Sequence, residues 1–238
     1  MEEWQQILRA SLRTPEQLAA AFDLDAAQIR KVAEAHRDYR RRLPSLAGKD
    51  IRIALDEWNY WYGPNDFGEL GVRYFVQDGL GMAAGLHEFF RNSDIYFMAN
   101  YAQTVNVIGA IKTTPVNAEM ETTGLVLKLY RQRFGVTPVE VTGVAAPLDV
   151  AAAWTADKSA LTVAVVNPSD QAASIELALK GAQLTGQGMS WVIAGPDRLA
   201  HNDPGKPRAI DIRQEPYRGN GELRVPPLGV AVFELAVR

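Results

Sequence analysis

Apolar side chains recur every three to four residues between 16 and 42, with Leu18, Phe22, Ile29, Val32 and Ala33 on one face. That spacing predicts an amphipathic helix, and Pro44 ends it. A short apolar run of strand length follows, Ile51-Arg52-Ile53-Ala54-Leu55, and stops at two acids, Asp56 and Glu57. Beyond a loop signal at Gly63-Pro64-Asn65-Asp66, helical spacing returns over 73–91, with Phe75, Met82, Leu86, Phe89 and Phe90 on the buried side. Asn92-Ser93-Asp94 breaks this helix before a second strand-like run, Ile95–Ala99. A last helix is expected over 119–134, carrying Leu125, Leu129 and Phe134 and stopping at Gly135 as its C′ residue. Strands alternating with helices in this order imply parallel pairing through crossovers.

The period changes after Pro138. The runs Val139–Val144, Leu148–Thr155, Leu161–Asn167, Ser174–Leu179, Ser190–Ile193, Glu222–Val225 and Val230–Leu235 are short and β-rich. Turn chemistry separates them, as in Asn167-Pro168-Ser169-Asp170 and Gly219-Asn220-Gly221. Their spacing suits a β-sandwich of about 100 residues. The expectation is therefore an α/β region, residues 1–136, followed by an all-β region, residues 137–238, with the boundary at 136–138.

Composition narrows the function classes. Of the 238 residues 47% are hydrophobic and 22% charged, enough apolar material for a packed core. The net charge of −3 is small and unpolarised, so neither nucleic acid nor an anionic membrane is an expected partner. The one dense basic run, Arg37-Asp38-Tyr39-Arg40-Arg41-Arg42, fits the solvated last turn of a helix. With no cysteine there are no disulfides, thiolate metal sites or cysteine nucleophiles. No apolar stretch reaches membrane-spanning length and Met1-Glu2-Glu3-Trp4 is unlike a signal peptide. A soluble, cytoplasmic chain is expected, unless a segment preceding Met1 carried a signal. His36, His87 and His201 lack ligand spacing, and Gly79, Gly81 and Gly85 fall inside a helix, where they read as close packing rather than a phosphate loop. No metal or cofactor is expected.

Candidate chemistry gathers at Asp56-Glu57-Trp58-Asn59-Tyr60-Trp61-Tyr62. Carboxylates at a strand's C-terminal end followed by aromatics suit a sugar site, because a carboxylate can attack an anomeric carbon and aromatic faces pack on sugar C–H surfaces. The same residues also fit a strand-end acidic pair with self-burying aromatics, and pattern alone leaves both readings open. After the second strand comes Asn100-Tyr101-Ala102-Gln103-Thr104-Val105-Asn106, whose amides can read sugar hydroxyls or tie down the loop.

Leu55-Asp56-Glu57-Trp58-Asn59, with Trp61, resembles the nucleophile motif of glycoside hydrolase family 51, the α-L-arabinofuranosidases. Ala102-Gln103-Thr104-Val105-Asn106-Val107-Ile108 is similar to the same family's motif on its final barrel strand, in the same order and at the same separation. The resemblance extends to Ala200-His201-Asn202 and the Leu223–Leu235 run and covers most of 45–238. It implies the last strands of a (β/α)8 TIM barrel followed by a jelly-roll-like β-sandwich. It implies Glu57 as the nucleophile of a retaining mechanism, Gln103 as a contact to arabinofuranose, Trp61 near the aglycone side, and Asp56 and Asn59 in support. The implied substrates are arabinose-containing oligosaccharides and polysaccharides.

One part of the family pattern is missing. Its acid/base glutamate follows Gly-Asn on an earlier barrel strand, and the one similar string here, Gly219-Asn220-Gly221-Glu222, sits in a hairpin-like turn of the sandwich. Asp56 is not expected to replace it, since neighbours on a strand point to opposite faces. The expectation is an enzyme segment inactive alone, partnered by a chain carrying the N-terminal barrel half and prone to form homo-oligomers. The alternative is a non-catalytic carbohydrate-binding or interaction module.

Overall fold

The structure, a computed structural model, describes residues 15–59 and 71–238, with side chains from residue 27 onward. Helix α1 spans Pro15–Arg42, as its periodicity predicts. Pro44 cannot extend it and opens one turn of 3-10 helix, Pro44–Leu46. Ile29 and Ala33 are buried, but Val32 is 38% exposed, so the buried stripe is narrower than the sequence suggests. The side chains of Leu18 and Phe22 lie outside the described set, as does the loop expected at Gly63–Asp66. The basic run forms ion pairs: Arg37 reaches Asp94, beyond the next α-helix, at 2.6 Å and Arg42 reaches Asp38 within the helix at 2.7 Å.

Strand β1 is Ile53–Trp58, helix α2 is Val76–Arg91 and strand β2 is Tyr96–Tyr101. The two strands pair in parallel. β1 begins two residues later than expected and runs on through both acids. A bulge explains how it does so. Leu55 opposes Ala99 and Trp58 opposes Tyr101, so β1 carries one extra residue between these pairs. Leu55 and Trp58 both pack toward the core, and the two residues between them, Asp56 and Glu57, are both exposed. The simple alternation expected of these acids therefore does not hold.

Beneath the strands, Ile29, Ala33, Phe89, Ile95 and Tyr96 form a small core with Ile53, Leu55, Trp58 and Ala99. Trp58 meets Phe89 edge to face at 4.8 Å. Gly85 lets the helix come this near, since a Cβ there would stand 2.8 Å from the Trp58 ring. Close packing is thus what this glycine provides.

Between β2 and the last helix lies a hairpin absent from the sequence reading, β3 (Ile111–Thr113) and β4 (Ala118–Met120). Strands of three residues are too short to show alternation. Helix α3 then spans Thr122–Arg133. Gly135 does not take the left-handed conformation of a C′ glycine. Its N–H donates to Thr162 Oγ1 at 2.8 Å, and a Cβ would lie 2.5 Å from the Trp154 carbonyl oxygen.

The remaining strands are β5 (Thr137–Val139), β6 (Asp149–Trp154), β7 (Ala160–Asn167), β8 (Ala173–Glu176), β9 (Leu184–Ala194), β10 (Arg213–Arg218), β11 (Glu222–Val225) and β12 (Gly229–Val237). Six form an antiparallel sheet in the order β10-β9-β12-β7-β6-β5, and β8 pairs with β11. The fold is an α/β unit joined to a β-sandwich. Period-two alternation splits the large sheet's side chains between two cores. On β7, Ala164 and Val166 pack with α2 and α3, while Leu161, Val163 and Val165 pack with Leu223 and Val225 of β11. Every residue of β7 is buried as a result. Gly219-Asn220-Gly221 is not a hairpin turn, because it carries the chain from β10 in the large sheet to β11 in the small one.

Contacts at both ends of α2 help fasten the α/β unit to the sandwich. The first N–H groups of α2 find acceptors in a sandwich loop, Val76 to the Ala200 carbonyl at 2.9 Å and Gln77 to that of Arg198 at 3.1 Å. These are groups a helix cannot satisfy internally. At the other end, fully buried His87 shares its Nδ1 hydrogen with Asp149 and accepts the Tyr130 hydroxyl at Nε2, 2.6 Å away. Arg91 holds the same carboxylate through two nitrogens, at 2.6 and 3.2 Å. Burial lowers the pKa of His87, so it is neutral and Tyr130 donates to it. Burial would raise the Asp149 carboxyl, but the His87 hydrogen bond and then Arg91 hold it well below the usual carboxylate range.

Candidate functional site

Glu57 is the penultimate residue of β1, and Gln103 lies two residues beyond the end of β2. Adjacent strands stand about 4.8 Å apart and rise about 3.3 Å per residue, which places the two backbones within roughly 11 Å. Both side chains are exposed. Trp61, with Tyr60 and Tyr62, lies outside the described residues.

Asn59 follows the nucleophile candidate by two residues, and its amide faces the protein. Nδ2 lies 2.6 Å from the Ala102 and Ile108 carbonyl oxygens and 2.8 Å from the Tyr74 hydroxyl. Asn59 thereby ties the end of β1 to both ends of the segment that carries Gln103. Its amide nitrogen is engaged by this backbone and by the Tyr74 hydroxyl.

The segment from Ala102 to Gly109 is fixed almost carbonyl by carbonyl. The Gln103 and Thr104 carbonyls accept the N–H groups of Ala110 and Ile111, each at 3.0 Å, and that of Val107 accepts the Val72 N–H at 2.7 Å. The Ile108 carbonyl also accepts Tyr74 Oη at 3.2 Å and Tyr101 Oη at 3.4 Å. Burial raises both phenols well above their ordinary pKa, so they remain protonated donors. Asn106 and Val107 both have positive φ, 54° and 48°. For a β-branched residue this conformation is an outlier, costing about 1–3 kcal/mol that the surroundings must supply. Asn106 is held by Thr113, whose N–H donates to Asn106 Oδ1 at 2.9 Å.

Under the loop lies a lysine that the sequence reading passed over. Lys112 is completely buried, and its Nζ donates to the carbonyls of Val107 at 2.9 Å and Gly109 at 3.1 Å. The ammonium also sits 5.3 Å from the centre of the Tyr74 ring. Glu121, likewise buried, accepts the Tyr74 N–H at 2.7 Å. Burial pushes the Glu121 carboxyl up to about 8, against the Tyr74 N–H and Lys112, which lower it. Burial brings Lys112 down to about 8, against the opposing charge of Glu121. In sequence, Lys112 stands in a stretch without apolar alternation, and nothing local marks it as buried.

Chemically, the arrangement offers an exposed carboxylate at the end of β1 and an exposed carboxamide on the hydrogen-bonded loop after β2. No group of three or more histidine, aspartate or glutamate side chains that could hold a metal occurs among the described residues.

Comparison with known proteins gives this geometry a context. Residues 56–228 match the model of the alpha-L-arabinofuranosidase C-terminal domain. A probable alpha-L-arabinofuranosidase C of Aspergillus flavus is 30% identical over 194 residues, covering 73% of this chain and 38% of that protein. An intracellular exo-alpha-(1->5)-L-arabinofuranosidase of Streptomyces lividans is 28% identical, covering 81% of this chain and 32% of its own length. The chain thus spans well under half of these relatives. Among solved structures, the alpha-L-arabinofuranosidase of Thermotoga maritima in complex with arabinose superposes with a TM-score of 0.80 at 23% identity, over 94% of this chain and 50% of that one. A GH51 enzyme of Thermotoga petrophila gives 0.76 at 25% identity, over 88% and 48%. With the matched residues running from the acids of β1 through the sandwich to Leu228, the chain belongs to the alpha-L-arabinofuranosidase C-terminal domain family.

Proposed function

We propose that this chain supplies the nucleophile side of a retaining α-L-arabinofuranosidase pocket. Glu57 attacks the anomeric carbon, Gln103 hydrogen-bonds the arabinofuranose, and Trp61 lies toward the aglycone. The observation that carries this reading is the pairing of β1 with β2, which sets Glu57 beside the fixed loop bearing Gln103. Residues 1–136 are then the closing part of a (β/α)8 barrel and residues 137–238 its appended sandwich. Solved relatives of about twice the aligned length leave room for the rest of such a barrel outside the aligned part. The substrate class is arabinose-containing oligosaccharide or polysaccharide, acted on together with a segment bearing the N-terminal barrel half. A cytoplasmic setting is supported by relatives named as intracellular in Streptomyces lividans and Bacillus subtilis. Among the described residues no helix is long and apolar enough to cross a membrane.

A retaining glycosidase needs a second carboxyl group about 5–5.5 Å from the nucleophile to protonate the leaving oxygen. Among the candidates in this sequence, Glu222 lies on β11 of the sandwich and Asp56 adjoins Glu57 at the bulge. Neither is assigned that role, so this chain alone is expected to leave natural arabinan and arabinoxylan intact. General-acid assistance contributes about 10²–10⁴-fold, and an aryl arabinofuranoside with a good leaving group bypasses it. Residual turnover should therefore appear on the aryl substrate and vanish in Glu57→Gln. Turnover of the polysaccharide would mean that an acid is present in this chain. Aryl turnover that survives Glu57→Gln would remove Glu57 as nucleophile. Saccharide binding without turnover, unaffected by Glu57→Gln, would instead identify a binding module.

A further inference from the structure

A buried ammonium needs a reason to stay buried. Lys112 lies outside the motifs, contacts no exposed surface, and is set with its Nζ between two carbonyls of one loop. The first of those carbonyls belongs to a left-handed pair of non-glycine residues, Asn106 and Val107, and the second closes the turn just after it. Val107 holds φ 48°, and the turn it makes returns through Gly109, whose N–H donates to the Asn106 carbonyl at 2.5 Å. A left-handed pair of non-glycine residues persists only where the surroundings over-determine it. Asn59 fixes the loop from the β1 side through the Ala102 and Ile108 carbonyls. Lys112 fixes it from below through the alternate carbonyls, Val107 and Gly109. Charge-assisted donors are roughly twice as strong as neutral ones, which suits a strained turn.

We propose that Lys112 is a positioning residue for Gln103, its ammonium holding the 102–109 loop in the conformation that presents the Gln103 carboxamide beside Glu57. The loop clamp stands on its own contacts, and its relevance to sugar recognition rests on the function proposed above. Glu121 completes the device. Its carboxyl fixes the backbone of Tyr74, whose ring faces the ammonium and whose hydroxyl reaches the Ile108 carbonyl.

The absence of native cysteine allows a clean test on this chain. Lys112→Met is compared with Lys112→Cys, alkylated while unfolded with 2-bromoethylamine to restore an ammonium of lysine length, then refolded. Amide hydrogen exchange is followed by mass spectrometry over 103–111, with β7 and β12 as reference. In Lys112→Met, loop exchange should rise at least tenfold beyond any change in the reference strands, and aminoethylation should return it to within about threefold of the unmodified chain. Equal acceleration in loop and strands would reduce Lys112 to core filling and overturn the proposal, as would failure of the restored ammonium to rescue. In the unmodified chain the donating amides of Asn106, Ala110 and Ile111 should exchange as slowly as those of α3. Exchange near the unstructured rate would overturn the clamp however the variants fold. None of these readouts depends on turnover, so loss of the glycosidase reading leaves the clamp result intact.

Discussion

Asn202 shows how much one short side chain can fasten. It is buried, its Oδ1 accepts the N–H groups of Ala209 and Ile210 at 3.0 Å each, and its Nδ2 donates to the Ile210 carbonyl at 2.8 Å and the Met120 carbonyl at 3.4 Å. One amide thus joins the loop after β9 to the end of β4. Truncation would leave several buried backbone groups unpaired, each costing about 1–3 kcal/mol. Asn202→Ala should lower stability by about 2–4 kcal/mol in urea denaturation, and a loss below about 0.5 kcal/mol would refute this role. The resemblance drew attention to Ala200-His201-Asn202, yet sequence gave no reason for it, since an asparagine in a polar loop reads as surface. The same holds for Lys112. Single residues that act by holding backbone carry no periodic signal.

At the scale of elements, β1 and β2 form a sheet of two, and among the described residues neither outer edge is paired. Phe97 is 66% exposed, Ile51 41% and Met98 39%, with the Arg52 guanidinium 4.9 Å over the Phe97 ring. Unpaired edges and uncovered apolar side chains favour pairing with another chain. The isolated protein should therefore associate as its concentration rises, and Phe97→Asp should reduce association. Light scattering that shows a monomer at millimolar concentration would contradict this. Elements with a strong period were legible: α1, α2, β6, β7 and β12 appear within a few residues of expectation. β10 was not. Its sequence, Arg213-Gln214-Glu215-Pro216-Tyr217-Arg218, has almost no apolar alternation because it is the sheet's edge, which is also where a proline can sit. The bulge in β1 was equally invisible, since an extra residue depends on the register of the partner strand.

For the molecule as a whole, the His87–Asp149–Arg91 cluster ties α2 to β6, and its response to acid has a definite sign. His87 faces Asp149, Arg91, Glu88 and the Tyr130 hydroxyl, and its folded-state pKa lies below the ordinary 6.5. As pH falls below that value the unfolded chain takes up a proton that the folded one refuses, so this site loses stability. Asp149, depressed from 3.8, keeps its contribution above that pH and loses it further into acid. Glu121, raised to about 8, works oppositely, favouring the folded state as pH falls from about 8 to 4.5. Comparison of the wild type with His87→Gln separates these effects. Between pH 7 and 5 the variant's urea midpoint should fall less than the wild type's, and parallel pH profiles would exclude His87 as the source.

The caps at the start of α2 bear on how such proteins can be recombined. The chain suggests an obvious crossover point near residue 136, where the last helix gives way to strands. Yet the Ala200 and Arg198 carbonyls that satisfy Val76 and Gln77 lie more than sixty positions downstream of it. A chimera that exchanged everything beyond 136 for a foreign sandwich would inherit α2 without the loop that seats its first turn. The two carbonyls belong with the helix they seat, and a graft that keeps its first turn capped must carry residues 198–202 along with it.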